Sequence, residues 1–290
     1  MKKIAKLFLA SVILFSSFAL FSCRDMIHDI REISGSETKR RSLEMVSVSN
    51  SFEINAYETS FVLWHDVREW ANDNGYKFIL PGKAGDKEVS EPGLYGYLPV
   101  TSAHPADIIV WLNALSEKNG LEPVYYEDSG YTKVLRSAWL ISNYQEIDEY
   151  DGKLTDINGN PITSYDYSIK SNFSTKDDAK GYRLPSKGDW LNAAKSGGKD
   201  KKAYGVSDDY RDVAALKYIH AFAQFTPNSL GIYDTIGNVS ELMLDGTTYS
   251  AYCFHYNMGS SSGTLFSPNN VAHIYGNWPE LFGFRIARKI

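Results

Sequence analysis

Thiols, imidazoles and carboxylates are the side chains here that could react or bind a metal, and they are sparse. Cys23 and Cys253 are the two cysteines in 290 residues. The six histidines, His28, His65, His104, His220, His255 and His273, contain no His-x-x-x-His-x-Glu arrangement. His65 reads as a helix-surface or boundary residue beside Trp64. Asp234 and Glu241 put two carboxylates in an eight-residue span. Residues 246–277 offer a different chemistry. They contain no Lys, Arg, Asp, Glu or Gln, although charged residues make up 22% of the chain. Rigid aromatic rings instead alternate with Ser, Thr, Asn, Gly and His, which is the composition of a binding surface. Its candidate contact residues are Tyr249, Tyr252, Phe254, His255, Tyr256, Asn257, Asn269, Asn270, His273 and Tyr275.

Composition narrows the partners. Hydrophobic residues at 43% and aromatics at 14% suffice for a buried core. The length allows one large domain or two ordinary ones. Residues 1–6 are basic and residues 7–21 apolar, too short a run to span a bilayer comfortably, so the N-terminus reads as a secretion signal. Loss of Lys2, Lys3 and Lys6 with it takes the 30 basic side chains to 27 against 35 acidic ones, a charge of −8. With no dense basic run, nucleic acid is not an expected partner. Ser22 directly before Cys23 resembles a bacterial lipoprotein signal, in which the cysteine thiol takes a diacylglycerol. The expectation is therefore a signal peptide over residues 1–22 and a lipid at Cys23 that holds the chain to a bacterial membrane. The outer membrane, with surface exposure, is the expected location. Cys253 is then left without a second thiol for a disulfide or a Cys–Cys metal site.

The elements that must position these residues follow from periodicity. Residues 23–50 read as a polar tether. Phe52-Glu53-Ile54-Asn55-Ala56 alternates as a half-buried strand does. Thr59 or Ser60 can cap a helix to about Asn74, with Phe61, Trp64, Val67 and Ala71 on one face and Gly75 as the stop. Tyr76-Lys77-Phe78-Ile79-Leu80 is expected as a strand. Pro105 opens a second helix with Ile108, Trp111, Leu112 and Leu115 as its stripe, and Gly120 ends it. Pro123-Val124-Tyr125-Tyr126 is extended. Residues 127–180 are loop-rich, with a hairpin turn expected at Asn158-Gly159-Asn160-Pro161. Ser186 and Asp189 can form the capping box of a third, short helix that buries Trp190, Ala193 and Ala194. Two main helices, short strands and long loops make an α+β domain over residues 51–290.

Several ordered segments resemble one family. They include Tyr57-Glu58-Thr59-Ser60, Trp111-Leu112-Asn113, Gly181-Tyr182-Arg183-Leu184-Pro185-Ser186, Leu230-Gly231-Ile232-Tyr233-Asp234, Gly237-Asn238-Val239-Ser240-Glu241 and Gly283-Phe284-Arg285. Together they resemble the formylglycine-generating-enzyme-like (sulfatase-modifying factor) domain, a variant of the C-type lectin fold. The family's aerobic enzymes bind copper through two cysteines after the Gly-Asn-x-x-Glu segment. Here that region offers Cys253 alone, and one soft thiolate does not replace a bis-thiolate Cu(I) site. An iron-dependent branch draws three histidines from an additional helical domain that is not seen here. Neither copper nor iron is expected. The resemblance does imply a structural calcium ion held by Asp234, Gly237, Val239 and Glu241, a set of hard oxygen donors. Glu53, Glu58, Arg183 and Arg285 read as structural hydrogen-bonding residues.

The uncharged stretch has a second peculiarity. Apart from Met258, one residue in thirty-two, every amino acid in 246–277 can be encoded by a triplet ending in a pyrimidine. Randomising the first two bases of an AAC codon gives this alphabet. The stretch thus resembles the variable regions made by diversity-generating retroelements, whose products include treponemal lipoproteins of this fold. Residues 278–290 would be the constant anchor behind it. The function this implies is non-catalytic recognition of a protein or glycan by a lipid-anchored surface protein. An oxidoreductase of the same family with an atypical site, and a structural envelope lipoprotein, stay open as alternatives.

Overall fold

The computed structural model describes residues 42–144, 167–200, 218–245, 248–252 and 282–290. Two helices form its centre. Helix α1, Phe61–Asp73, starts where the Ser60 hydroxyl accepts from the Leu63 N–H, which satisfies one of the free donors of the first turn. It buries the expected Phe61, Trp64, Val67 and Ala71, and Leu63 besides. Helix α2, Pro105–Lys118, is buried on nearly every side from Pro105 to Ser116. Its N-cap is His104, whose Nδ1 accepts from the Ala106 N–H. The two helices meet through Trp64 and Trp111, stacked 5.4 Å apart, with the Phe284 ring edge-on to both. Stacked and edge-to-face rings add to the burial term that drives this core.

Short strands surround the helices. They are β1, Met45–Ser47; β2, Phe52–Asn55; β3, Lys83–Ala84; β4, Val100–Thr101; β5, Tyr125–Tyr126; β6, Ser174–Thr175; β7, Tyr182–Arg183; β8, Ser240–Asp245; β9, Thr248–Tyr252; β10, Phe282–Phe284; and β11, Ala287–Lys289. A third helix, α3, Lys187–Ala194, begins with the expected capping box of Ser186 and Asp189. One sheet has the order β1-β2-β11-β7 and is antiparallel throughout. A second has the order β10-β8-β9, with β8–β9 antiparallel and β10–β8 parallel. Pairs β3–β4 and β5–β6 complete an α+β arrangement.

Two expectations change. Tyr76-Lys77-Phe78-Ile79-Leu80 is not a strand, because its backbone donors go elsewhere. The Asp107 carboxylate accepts from the N–H groups of Ile79 and Leu80 at 2.6 and 2.8 Å. Lys77 meanwhile exchanges single bonds with Arg136 and Ala138. Strand β1 falls inside the stretch read as tether and pairs with β2. The turn expected at Asn158 lies outside the described residues. Among the described residues no helix is long and apolar enough to cross a membrane.

Candidate functional site

Strand β8 organises the region that carries the candidate residues. Ser240, Glu241, Leu242, Met243 and Leu244 are all buried. Leu242 and Leu244 join the main core, while Met243 packs with Trp190 and Ala194 of α3. A strand covered on both faces reads as a continuous apolar run, and Leu242-Met243-Leu244 does. On one side β9 pairs Tyr249 with Leu244 and Tyr252 with Glu241. On the other, β10 pairs Phe282 with Ser240 and Phe284 with Leu242. Gly283 is required in β10. A Cβ there would stand 2.8 Å from Val239 Cγ2 and 2.9 Å from the Val100 carbonyl oxygen.

Among the ten candidate contact residues, Tyr249 and Tyr252 therefore belong to one strand. Phe254, His255, Tyr256, Asn257, Asn269, Asn270, His273 and Tyr275 lie outside the described residues, as does Cys23.

Behind β8 lies a buried charge cluster that spacing in the sequence did not reveal. Arg285, 1% exposed, points into it from the turn between β10 and β11. Its Nε and Nη2 donate to Glu241, its Nη1 to the Asn55 and Ala56 carbonyls, and its Nη2 also to the Tyr233 carbonyl. The closest Arg285–Glu241 contact is 2.6 Å. Glu241 Oε2 accepts in addition from Trp190 Nε1 at 2.6 Å. A planar guanidinium with five donors suits this position, where a lysine could not reach four partners. Burial alone would lower the guanidinium's proton affinity, but the Glu241 carboxylate beside it raises it above its ordinary value.

Two further carboxylates face this pair. Glu58, wholly buried, accepts from Asn238 Nδ2 at 2.5 Å and from the Val239 N–H at 3.2 Å. Burial first, and then the neighbouring Asp234 and Glu241, hold its carboxyl well above the usual range, against the opposing pull of Arg285. Asp234 accepts from the Ala223 N–H at 3.0 Å, and burial pushes its carboxyl up to about 6. Asp234 and Asn238 both adopt left-handed backbone, φ 53° and 56°, a region that Asn and Asp tolerate better than other side-chain-bearing residues. Asp234, Gly237, Val239 and Glu241 thus share one buried loop and strand start, with Glu58 as an unforeseen neighbour. Glu58 and Arg285 stand 227 positions apart in the chain, which is why no local pattern linked them. Among the described residues no three His, Cys, Asp or Glu side chains converge as a metal site.

Residues 31–290 match the family described as the sulfatase-modifying factor enzyme 1-like domain. The crystal structure of CarF is similar over 82% of this chain and 86% of its own, with 24% identity and a TM-score of 0.58. Treponema denticola variable protein 1 is similar over 82% of this chain and 84% of its own, with 22% identity and a TM-score of 0.52. At these identities the likeness is one of fold. No curated protein matches the chain in sequence.

Proposed function

The chain belongs to the sulfatase-modifying factor enzyme 1-like domain family, and from that premise we propose a non-catalytic ligand-binding protein whose contact surface is built from residues 246–277. One observation carries the reading. Tyr252 pairs with Glu241 and Phe282 with Ser240, so both ends of the intervening 29 residues attach to the same end of the buried strand β8. With strands about 4.8 Å apart, the two attachment points are separated by roughly 10 Å. A long segment, uncharged from residue 253 to 277 and tied at both ends to a packed strand, can change without altering the core beneath it. Its Tyr, Phe and His residues supply large contact area at low conformational cost, and its Asn and Ser residues adapt their hydrogen bonds. Likeness in fold to a variable protein agrees with this reading. The expected ligand is a protein or a glycan.

The test uses the full-length chain in detergent on protein and glycan arrays. Tyr252→Ala combined with Phe254→Ala and Tyr256→Ala should abolish the ligand signal while the melting temperature stays within a few degrees. Undiminished binding, or turnover of thiol substrates with stoichiometric copper or iron, would overturn the reading.

A lipid at Cys23 would tether this domain to a membrane. Cys23→Ser should then move the chain from the detergent phase to the aqueous phase in a cloud-point partition, and unchanged partition would rule the tether out. The calcium implied by the resemblance has a physical argument in its favour. Glu58, Asp234 and Glu241 face one guanidinium, so the buried cluster is short of positive charge when fully ionised. A divalent ion held by Asp234, Glu241 and the Gly237 and Val239 carbonyls would supply it.

A further inference from the structure

A cavity of about 360 Å³ lies between β5, β7, the start of α3 and the C-terminal end of β8. Its frame is rigid. Gly181 lets β7 approach the turn that follows α2, where a Cβ would stand 2.2 Å from the Glu122 carbonyl oxygen. The Tyr182 N–H then donates to Ser116 Oγ at 2.8 Å, and the Leu184 N–H to Tyr125 Oη at 3.0 Å. Arg183 and Tyr125 both line the cavity, with Leu184 and Leu244 as part of its apolar wall.

Several polar groups of this lining are unused among the described residues. Arg183 Nη1 donates to the Leu184 carbonyl and to Asp189, both at 2.9 Å, but Nη2 makes no hydrogen bond and the buried Nε makes none either. Nε and Nη2 are the parallel donors of a guanidinium, the pair that Arg285 presents to Glu241. Tyr125, 1% exposed, receives the Leu184 N–H but has no acceptor for its own hydroxyl proton. Burial pushes that hydroxyl up to about 12, so it stays a donor at physiological pH. Charges of both signs complete the lining, with Lys176, Arg183 and Lys289 against Asp177, Asp189 and Asp245. Lys176 pairs with Glu122, and Lys289 donates to the Asp177 carbonyl. Asp245, exposed, accepts from the Lys187 N–H through one oxygen and has the other unengaged.

A buried donor without a partner is costly, so unused donors held in a rigid frame call for an acceptor group that occupies them. Equal numbers of basic and acidic residues disfavour a simple anion or cation and suit a ligand that carries both charges. We propose that this cavity binds a free α-amino acid with an apolar side chain. Its carboxylate takes the Nη2 side of Arg183, next to the orphaned Nε, and the Tyr125 hydroxyl. Its ammonium faces Asp245, and its side chain lies along Leu184 and Leu244. The cavity's volume is in the range of small-molecule sites. It lies at the Asp245 end of β8, whereas residues 253–281 are tied in at Ser240 and Glu241, so the inference is independent of the ligand-binding reading.

Isothermal titration calorimetry tests it on the full-length chain in detergent, in a Tris chloride buffer free of carboxylates, with L-leucine and L-phenylalanine as probes. At least one should bind, with one molecule per chain. The matching acid without the ammonium (isocaproate or hydrocinnamate) should bind about tenfold more weakly, and so should the matching amine without the carboxylate (isoamylamine or phenethylamine). Arg183→Lys keeps a charge but lacks the parallel donors, and should weaken the amino acid by about tenfold, as should Tyr125→Phe. Asp245→Asn should weaken the amino acid and leave the matching acid unchanged. No heat from either amino acid would overturn the site. So would a matching acid or amine that binds as tightly as the amino acid, or affinity that Arg183→Lys leaves intact. If Arg183→Lys fails to fold, Asp245→Asn decides, since it changes an exposed residue and keeps an oxygen for the Lys187 N–H. Unchanged amino-acid affinity in that variant would equally overturn the proposal.

Discussion

At the scale of single residues, buried acids do structural work here in an unusual protonation range. Asp107 caps the two backbone N–H groups of Ile79 and Leu80, and burial pushes its carboxyl up to about 6, against the opposing pull of Arg68 and of those N–H groups. An unfolded Asp titrates near 3.9, so the folded chain binds more protons between about pH 4 and pH 6. Stability therefore falls as pH rises through that window and is level above it. For a shift of this size the linkage amounts to roughly 3 kcal/mol. Asp107→Asn should flatten this part of the profile in urea titrations at pH 4 and pH 6, relative to wild type. An undiminished slope would show that the proton resides elsewhere. Asp234 adds in the same sense. The sequence marked Asp234 through its motif but left Asp107 unremarked, because nothing local separates a solvated helix N-terminal Asp from one that is wholly buried.

At the scale of elements, α2 is the part that other segments hang from. Asn113 on its buried face donates from Nδ2 to the Tyr125 and Leu135 carbonyls and accepts at Oδ1 from the Val124 and Tyr125 N–H groups. A single amide thus fixes both the start of β5 and the residues that bridge to it. Asn113→Ala should cost on the order of 3 kcal/mol, because it strands several buried backbone groups. Chemical denaturation would read this as a lower midpoint at unchanged slope, and a loss below about 1 kcal/mol would refute the role. The helices were legible because their signals are local. Ser60, Pro105 and the Ser186–Asp189 box mark starts, and the apolar stripes mark buried faces. Strands β1, β3 and β10 were not, since two- and three-residue strands carry too little periodicity and are defined by their partners. The supposed strand at Tyr76 failed for the complementary reason. Its pattern suited a sheet, but a side chain took the backbone donors. The candidate contact residues were legible as composition, and the order of strands around β8 was not.

For the whole molecule, the charge of the buried cluster links folding to its ionic surroundings. If a calcium ion sits with Asp234 and Glu241, it binds their ionised forms and competes with protons. Millimolar calcium should then raise the melting temperature by several degrees at pH 7.5 and by little at pH 4.5, with magnesium less effective. Equal curves with calcium and EGTA at pH 7.5 would count against the ion. Another whole-molecule consequence comes from β11, which follows the other described strands in the chain yet lies inside the main sheet between β2 and β7. Arg285 and Ala287–Lys289 come after the other described elements in the chain, so the sheet and the charge cluster cannot close until they have been made. A stop codon or shifted frame in residues 246–277 would remove both together with β10, leaving β2, β7 and β8 each short of a partner and the buried acids uncompensated. Completion of the fold is therefore a check on the reading frame of the segment that precedes it, and chains that fail it are left open to proteolysis.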